Sequence, residues 1–525
     1  MGDLFDGYAL GAAWDEVFGR DGQPHPECAP LHAALQEMSA EELTSRSTAL
    51  SRAFRDQGVT FSLSGEERTF PLDLVPRVVT HDEWLVVEQG VQQRVKALEA
   101  FLADVYGEQS VLKDGIVPRR VVVSSSAHCK PAHGVEPPNG VRVHVSGVDL
   151  IRDEEGRFRV LEDNLRTPSG ISYVVENRRA MARVFPELFA THRVRPVADY
   201  PARLLHALRA AAPHGVSDPT VVVLTPGVFN SAYFEHSLLA RLMGVELVEG
   251  RDLICRDGVV WMRTTAGEHR VDVVYRRIDD DFLDPLHFRP DSMVGCPGIL
   301  NAARAGNVTI ANAVGNGVAD DKLIYTYVPE LIRYYLGERA ILDNVETFPL
   351  DDAEVCAWAL DHLDALVWKP ADGSGGKGLV IGPQANDDTL DTLRIAVEAD
   401  PRSWIAQRPV ALSTAPTYVG SKMRPRHLDL RPFALHDGTD VWVVSGGLTR
   451  VALPEGSLVV NSSQGGGSKD TWVLAGDGDG IAHAAETAPD RATVDAVECE
   501  PLARQPFDLG PDAPARAAQQ QQQQQ

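Results

Sequence analysis

The 525-residue sequence predicts an α/β protein built of stacked α and β layers, on three observations. Apolar residues recur at helical spacing through the N-terminal region, as in "HDEWLVVEQGVQQRVKALEAFLADVYG". From about Asp218 the pattern becomes "TVVVLTPG", a helix-like "NSAYFEHSLLARLMG", then "VELVEGRDLICRDGVVWM" and "VDVVYRRI", a β-α-β order that implies a small open α/β sheet. Finally, "LDALVWKPADGSGGKGLVIG", residues 363–382, sets a glycine-rich turn between two β-forming runs.

In chain order, residues 1–120 read as mainly helical. Residues 121–215 are β-rich, with "RRVVVSSS" followed by "NGVRVHVSGVDLIRDEEGRFRVLEDNL". Residues 216–320 hold the small α/β unit, and 321–475 begin with a helix, "LIYTYVPELIRYYLG", before the glycine-rich turn. Residues 476–525, rich in Ala, Asp, Gly and Pro and ending "ARAAQQQQQQQ", lack apolar periodicity and read as a disordered low-complexity tail. No internal repeat is visible.

Fifty basic against seventy-four acidic side chains give a formal charge of −24, which repels phosphate backbones and anionic lipid, so neither nucleic acid nor membrane is an expected partner. The N-terminus has no basic and apolar leader, and no run reaches the ~20 apolar residues of a membrane span; a cytoplasmic protein is expected. Six scattered cysteines without a C-x-x-C pair read as reduced thiols. "AHCKPAH", with His128, Cys129 and His133, supplies too few ligands in one loop for a structural zinc site.

The glycine-rich turn is not a P-loop, because Lys377 is followed by Gly378 and by "LVIG" rather than by Ser or Thr and a helix. A dinucleotide fingerprint fails for the same reason. What fits is a β-hairpin flap in which Gly373, Gly375, Gly376 and Gly378 let backbone N–H groups approach phosphate oxygens while Lys369 and Lys377 bring charge; a tight turn with two solvated lysines is the alternative. Protein kinases and ATP-grasp enzymes both use such a flap. The kinase reading lacks H-R-D-x-x-x-x-N and D-F-G. The ATP-grasp reading has Lys369 on the strand before the flap and, in "RSWIAQRPV", Gln407 at the edge of an adenine slot.

Magnesium needs hard oxygen ligands. These are found upstream, in "VSGVDLIRDEEGRFRVLEDNLRTPSG". With a two-residue loop at Glu155 and Gly156, facing residue numbers sum to 311, which sets Asp149 opposite Glu162 with Asn164 on the same face. Opposed carboxylates destabilise a bare sheet, so the pairing points to a cation; an acidic surface hairpin is the alternative, weakened by the apolar neighbours Val148, Leu150, Val160 and Leu161.

The motifs "VLEDNLRTPSGISYVVENRR", "NAVGNGVADDK", "KPADGSGGKG", "IAQRPVALS", "RHLDLRPF", "GGLTRVAL" and "VVNSSQGGGSKDTWVL" together resemble the circularly permuted ATP-grasp type 2 proteins, similar in fold to the synthetase domain of glutathionylspermidine synthase. The resemblance runs from about Tyr8 to Leu474 and implies a circularly permuted ATP-grasp fold, in which the metal-binding strands precede the nucleotide flap. It implies Asp149, Glu162 and Asn164 as magnesium ligands, Lys369 and Lys377 on the ATP phosphates, Gln407 at the adenine hinge and Lys322 near the nucleotide. The glutathionylspermidine synthetases carry an arginine two residues before the first metal carboxylate, where this chain has Gly147.

Another arginine must then act near the phosphoryl group. In "RHLDLRPF", alternation sets Leu428 and Leu430 on one face and His427, Asp429 and Arg431 on the other; Arg426, at the strand start, is a further candidate, with Arg166 after the hairpin and Arg450 in "GGLTR". The loop "NSSQGGGSKD", with Ser463, Gln464 and Lys469, has the composition of a loop closing over substrate. The expected function is an ATP- and Mg²⁺-dependent carboxylate–amine ligase, acting on an amino acid, peptide or similar small substrate through an acylphosphate; no protein nucleophile is needed. The alternatives are an ATP-binding scaffold without turnover and a small-molecule kinase.

Overall fold

The computed structural model describes residues 4–63, 66–373, 378–458, 460, 466–476 and 513–522. Helix α1 (Ala40–Asp56) starts where the Ser39 side chain accepts from the Glu42 backbone N–H, a cap that satisfies one orphan donor. Helix α2 (His81–Val105) opens on a full capping box of Thr80 and Glu83. Its buried stripe of Trp84, Val87, Val91, Leu98, Phe101, Leu102 and Val105 follows the helical period read from the sequence.

Six strands form the main sheet. β1 (Val145–Arg152) and β2 (Phe158–Asn164) are the early hairpin. Helix α3 (Ile171–Val184) follows it, leading to the small domain. There β3 (Val221–Leu224), α4 (Tyr233–Met243), β4 (Glu246–Val248), β5 (Val273–Arg276) and β6 (Thr309–Ala311) make a parallel sheet of order β6-β5-β3-β4, with an antiparallel meander over 253–271 beside it. The short helix α5 (Lys322–Thr326) comes next. β7 (Thr347–Pro349), β8 (Val367–Pro370), β9 (Val380–Ile381) and β10 (Trp404–Gln407) form an antiparallel sheet of order β7-β10-β8-β9 with its own core around Trp368, Leu393 and Ala406.

The chain then returns to the hairpin. β11 (Thr414–Val419) pairs with β12 (Lys422–His436), and β12, β13 (Val441–Val451) and β14 (Gly467–Lys469) complete the order β14-β13-β12-β1-β2. The main sheet thus joins one expected segment, 121–215, to the second half of another, 321–475, while β7–β10 form a separate sheet with a core of their own on one side and Ile405 in the main core.

Asp149 faces Glu162 and Gly147 faces Asn164, as the sum of 311 requires, although the turn differs from the two-residue loop expected. Arg152 pairs with Phe158, so the loop is Asp153–Arg157, and the register shifts between Asp149 and Leu150. A longer, odd loop moves the register by one and a bulge moves it back. Between them they keep the carboxylates together.

The opposite face of β2 is held by a buried ion pair. Arg94 of α2 donates from Nε and Nη2 to Asp163 at 2.6 and 2.7 Å and from Nη1 to Asn344 at 2.8 Å. Arg94→Met leaves Asp163 charged and buried, so it should lower unfolding free energy by about 3–5 kcal/mol, read as a fall in the denaturation midpoint.

Where a structureless tail is expected, residues 513–522 form helix α6 (Ala513–Gln522) against the small domain. Alanine and glutamine are good helix formers, but ten residues make a marginal helix alone; the contacts described below hold it. Among the described residues, no helix is long and apolar enough to cross a membrane.

Candidate active site

Alternation along β12 buries Leu428 and Leu430 and sends Asp429 and Arg431 to the other face. The register pairing Leu430 with Leu150 and Phe433 with Gly147 sets Arg431 across from Asp149, and Asp429 pairs with Arg450 of β13. The result is a buried charged lattice. Arg431 grips Asp149 with two nitrogens, Nη2 to Oδ2 at 2.8 Å and Nε to Oδ1, and its Nη1 donates to the Ser169 carbonyl at 3.2 Å. Arg450 Nη2 donates to Asp149 Oδ2 at 2.7 Å, and its Nε to both Asp429 oxygens at 2.9 and 3.0 Å.

Burial opposes the charge on Asp149, but Arg431 and then Arg450 outweigh it and hold the carboxyl well below the usual carboxylate range. Burial and the neighbouring Asp149 push Asp429 up despite Arg450. Asp149 is thus held ionised between two arginines.

A Cβ at position 147 would lie 3.1 Å from Pro168 Cβ, 3.2 Å from Arg431 Cδ and 3.4 Å from its Cγ. The Arg431 stem crosses the space that a side chain at 147 would take. The glycine and the arginine on the neighbouring strand are thus two halves of one arrangement.

Glu162 is more open than Asp149, with 26% of its side chain exposed, and its nearest cationic nitrogens stand off at 3.7 Å (Lys322 Nζ) and 3.9 Å (Arg431 Nη2). Beside it the buried Nδ2 of Asn164 has no hydrogen-bond partner among the described residues. Asp149, Glu162 and Asn164 bring two carboxylates and one side-chain amide to one face, with Glu162 loosely held. That donor set fits a hard divalent cation.

Lys322, the first residue of α5, joins this hairpin to the flap. Its backbone N–H donates to the Ala371 carbonyl at 3.1 Å and its Nζ to the Gly373 carbonyl. Lys369, on β8 at the flap's base, is pushed down to about 8 by burial, with Lys322 adding to the shift while Glu162 and Asp149 oppose it. β8 and β9 pair antiparallel, Val367 with Ile381 and Trp368 with Val380, so the glycine-rich turn does join two strands. Gly375, Gly376 and Lys377 lie outside the described residues, as do Ser463 and Gln464.

Other candidates stand elsewhere. Arg426 donates to the Leu453 and Pro425 carbonyls at 2.9 and 2.8 Å and takes no part in the Asp149 lattice. Arg166 lies 3.5 Å from Asp279 and 3.7 Å from Asp320, at the edge of the small domain. Lys469, expected in a substrate loop, is fully buried on β14, paired to Asp73 and donating to the Pro416 carbonyl at 2.8 Å; a core anchor of this kind cannot swing over a substrate. Gln407 turns inward, its Nε2 donating to Thr347 Oγ1 at 2.8 Å. Asp320 was signalled by nothing but its place in "GNGVADDK"; burial pushes its carboxyl up to about 7, and it accepts from the Leu165 backbone N–H at 2.6 Å. Perturbed carboxyls of this kind gather at functional sites.

The family model for "Circularly permuted ATP-grasp type 2" matches residues 76–452. An uncharacterized protein of Mycobacterium tuberculosis is 62% identical over 90% of this chain and 85% of its own length, and one of Synechocystis is 52% identical over 89% and 98%. A Frankia alni protein whose name gives it as a candidate glutamate–cysteine ligase 2-3 is 46% identical over 88% of this chain, which spans 54% of that longer protein. Among solved structures, a glutathione synthetase-like effector of Globodera pallida, in its apo form, superposes with a TM-score of 0.55 at 12% identity, covering 83% of this chain and 98% of that one. That last likeness is one of fold.

Proposed function

The chain belongs to the circularly permuted ATP-grasp type 2 family, and from that premise we propose that it is an ATP- and Mg²⁺-dependent carboxylate–amine ligase. The observation that carries the reading is the meeting of Glu162, Lys322 and Lys369 where the flap sheet abuts the main sheet, with Asp149 clamped by two arginines behind them. Asp149, Glu162 and Asn164 would hold Mg²⁺, which when bound supplies neutralising charge to the ATP phosphates. Lys369, Lys377 and Lys322 add positive charge along the phosphates, and a substrate carboxylate attacks the γ-phosphate to give an acylphosphate and ADP. An amine then displaces phosphate. The work asked of the protein is positioning and charge compensation, and Arg431 stands in for the arginine that the resemblance places at 147. The ligase name of the Frankia relative supports the class of reaction.

The test is ADP release from Mg·ATP with pooled amino acids and small peptides, in the presence of hydroxylamine. A ligase yields a hydroxamate from the trapped acylphosphate, and ADP only when a carboxylate is supplied. A kinase would leave a stable phosphorylated product, and binding without turnover would favour a scaffold.

Lys369 gives this reading a pH signature. Its amine is charged below a pKa of about 8 and neutral above it, whereas phosphate favours the charged form. ATP affinity should therefore weaken as pH rises through about 8, with proton uptake on binding in that range. Calorimetry in buffers of different ionisation enthalpy measures the uptake, and Lys369→Arg should remove it.

A further inference from the structure

Helix α6 buries glutamines where an amphipathic helix would bury leucines. Gln519 is 6% and Gln520 4% exposed. The Gln519 side-chain oxygen accepts from the Met293 backbone N–H at 2.7 Å, and its amide nitrogen donates to the Asp291 carbonyl at 2.6 Å. Both ends of one carboxamide are thus read by main-chain groups two residues apart. The Gln520 side-chain oxygen accepts from the Phe229 backbone N–H at 3.2 Å, and its carbonyl accepts from Asn230 Nδ2 at 3.2 Å. Arg516 pairs with Glu249, and Arg289 reaches the Gln522 side chain at 3.4 Å.

These partners share one place in the fold. Gly227–Asn230 follow β3, Glu249 follows β4, and residues 289–293 follow β5, so the helix lies across the carboxyl ends of the parallel strands. The chain leaves β3 toward β4 on one side, and β5 lies on the other, which makes this the switch point where open α/β sheets bind ligands. Gly227 is part of the fit: a Cβ there would lie 2.4 Å from the Gln520 amide nitrogen.

We infer that this crevice is a binding site for peptide segments presenting adjacent glutamines, and that the protein's own tail occupies it in cis. Recognition rests on the Gln519 carboxamide, which accepts and donates at once, beside the Gln520 side-chain oxygen, which accepts. Glutamate offers only acceptors, and at position 519 its carboxylate would face the Asp291 carbonyl. The site lies on a different sheet from the Asp149 lattice, so its fate and that of the ligase reading are separable.

The test uses the full-length chain, wild type and Gln519→Glu/Gln520→Glu, with a fluorescent peptide of residues 513–522. The doubly substituted chain, its own tail loosened, should bind the wild-type peptide at least ~10-fold more tightly than the wild-type chain does, and should bind a peptide with the same two glutamates at least ~10-fold more weakly. In wild type, hydrogen exchange over 513–522 should be slowed, and in the variant restored to the rate of the free peptide. Equal binding of the two peptides, binding to neither chain, or wild-type exchange at the free-peptide rate would each overturn the inference.

Discussion

Arg431→Met should destabilise the protein by about 3–5 kcal/mol and lower ATP turnover by roughly 10²–10³-fold. The first effect comes from Asp149. It is fully buried, and without the two-nitrogen grip of Arg431 it keeps only Arg450, which it shares with Asp429. The second comes from loss of the guanidinium, which in the proposed reaction stands in for the arginine that Gly147 lacks, while the methionine stem still fills the space beside Gly147. Arg431→Lys should rescue neither effect, because an ammonium cannot serve both Asp149 oxygens and the Ser169 carbonyl from one planar fork. The sign with pH follows from the depressed Asp149 carboxyl. Its stabilisation is complete above the unfolded value of about 3.9 and is lost as pH falls through the folded one. The difference between wild type and variant should therefore be full at neutral pH and shrink in acid, as denaturant titrations across that range will measure.

Glu162→Gln should do the reverse: a change in stability within ~1 kcal/mol, since its ion pairs are long and partly solvated, and a large loss of function. With one oxygen charge removed from the proposed cation face, Mg²⁺-dependent ATP affinity should fall by at least the ~10–100-fold that loss of even an outer-shell partner costs. Calorimetry at graded Mg²⁺, beside thermal unfolding of the same samples, reads both quantities. A variant that unfolds early, or that binds Mg·ATP as wild type does, would remove Glu162 from the metal face. Together the two substitutions separate the group that builds the site from the group that uses it.

The hairpin was legible because the side-chain period of a strand is two, so the choice of facing residues was small. Its turn was not. The bulge beside Asp149 accompanies backbone bonds from Val160 N–H to the Asp343 carbonyl and from Val345 N–H to the Val160 carbonyl, contacts with a segment about 180 residues on that local turn chemistry does not contain. Alternation sets Arg431 on the polar face, and Arg450 stands out only as the close of "GGLTR", whereas Arg426, one residue out of phase with that face, turns to nearby carbonyls. Lys469 misled for a different reason. Glycines and serines around it read as a mobile loop, but its ammonium finds Asp73, a partner 396 positions away, and distance of that order hides burial from any local pattern. The tail misled through composition: low complexity speaks of what a segment can bury by itself, and α6 relies on groups supplied by the small domain.

The main sheet has a consequence for the order in which this protein can come into being. Asp149 and Arg431 are 282 positions apart, and β1 finds β12 only after the small domain and the flap sheet have been made. At synthesis rates of ~5–20 residues per second, the interval is on the order of tens of seconds. Throughout it the hairpin carries a carboxylate destined for the interior with no counter-charge, and its inner edge has no neighbour. The small domain, whose strands lie within residues 221–311, can close meanwhile on its own short-range contacts. A nascent chain should thus emerge with a folded middle and an unfinished main sheet, exposed to proteases and to pairing with other edges until its last strands arrive.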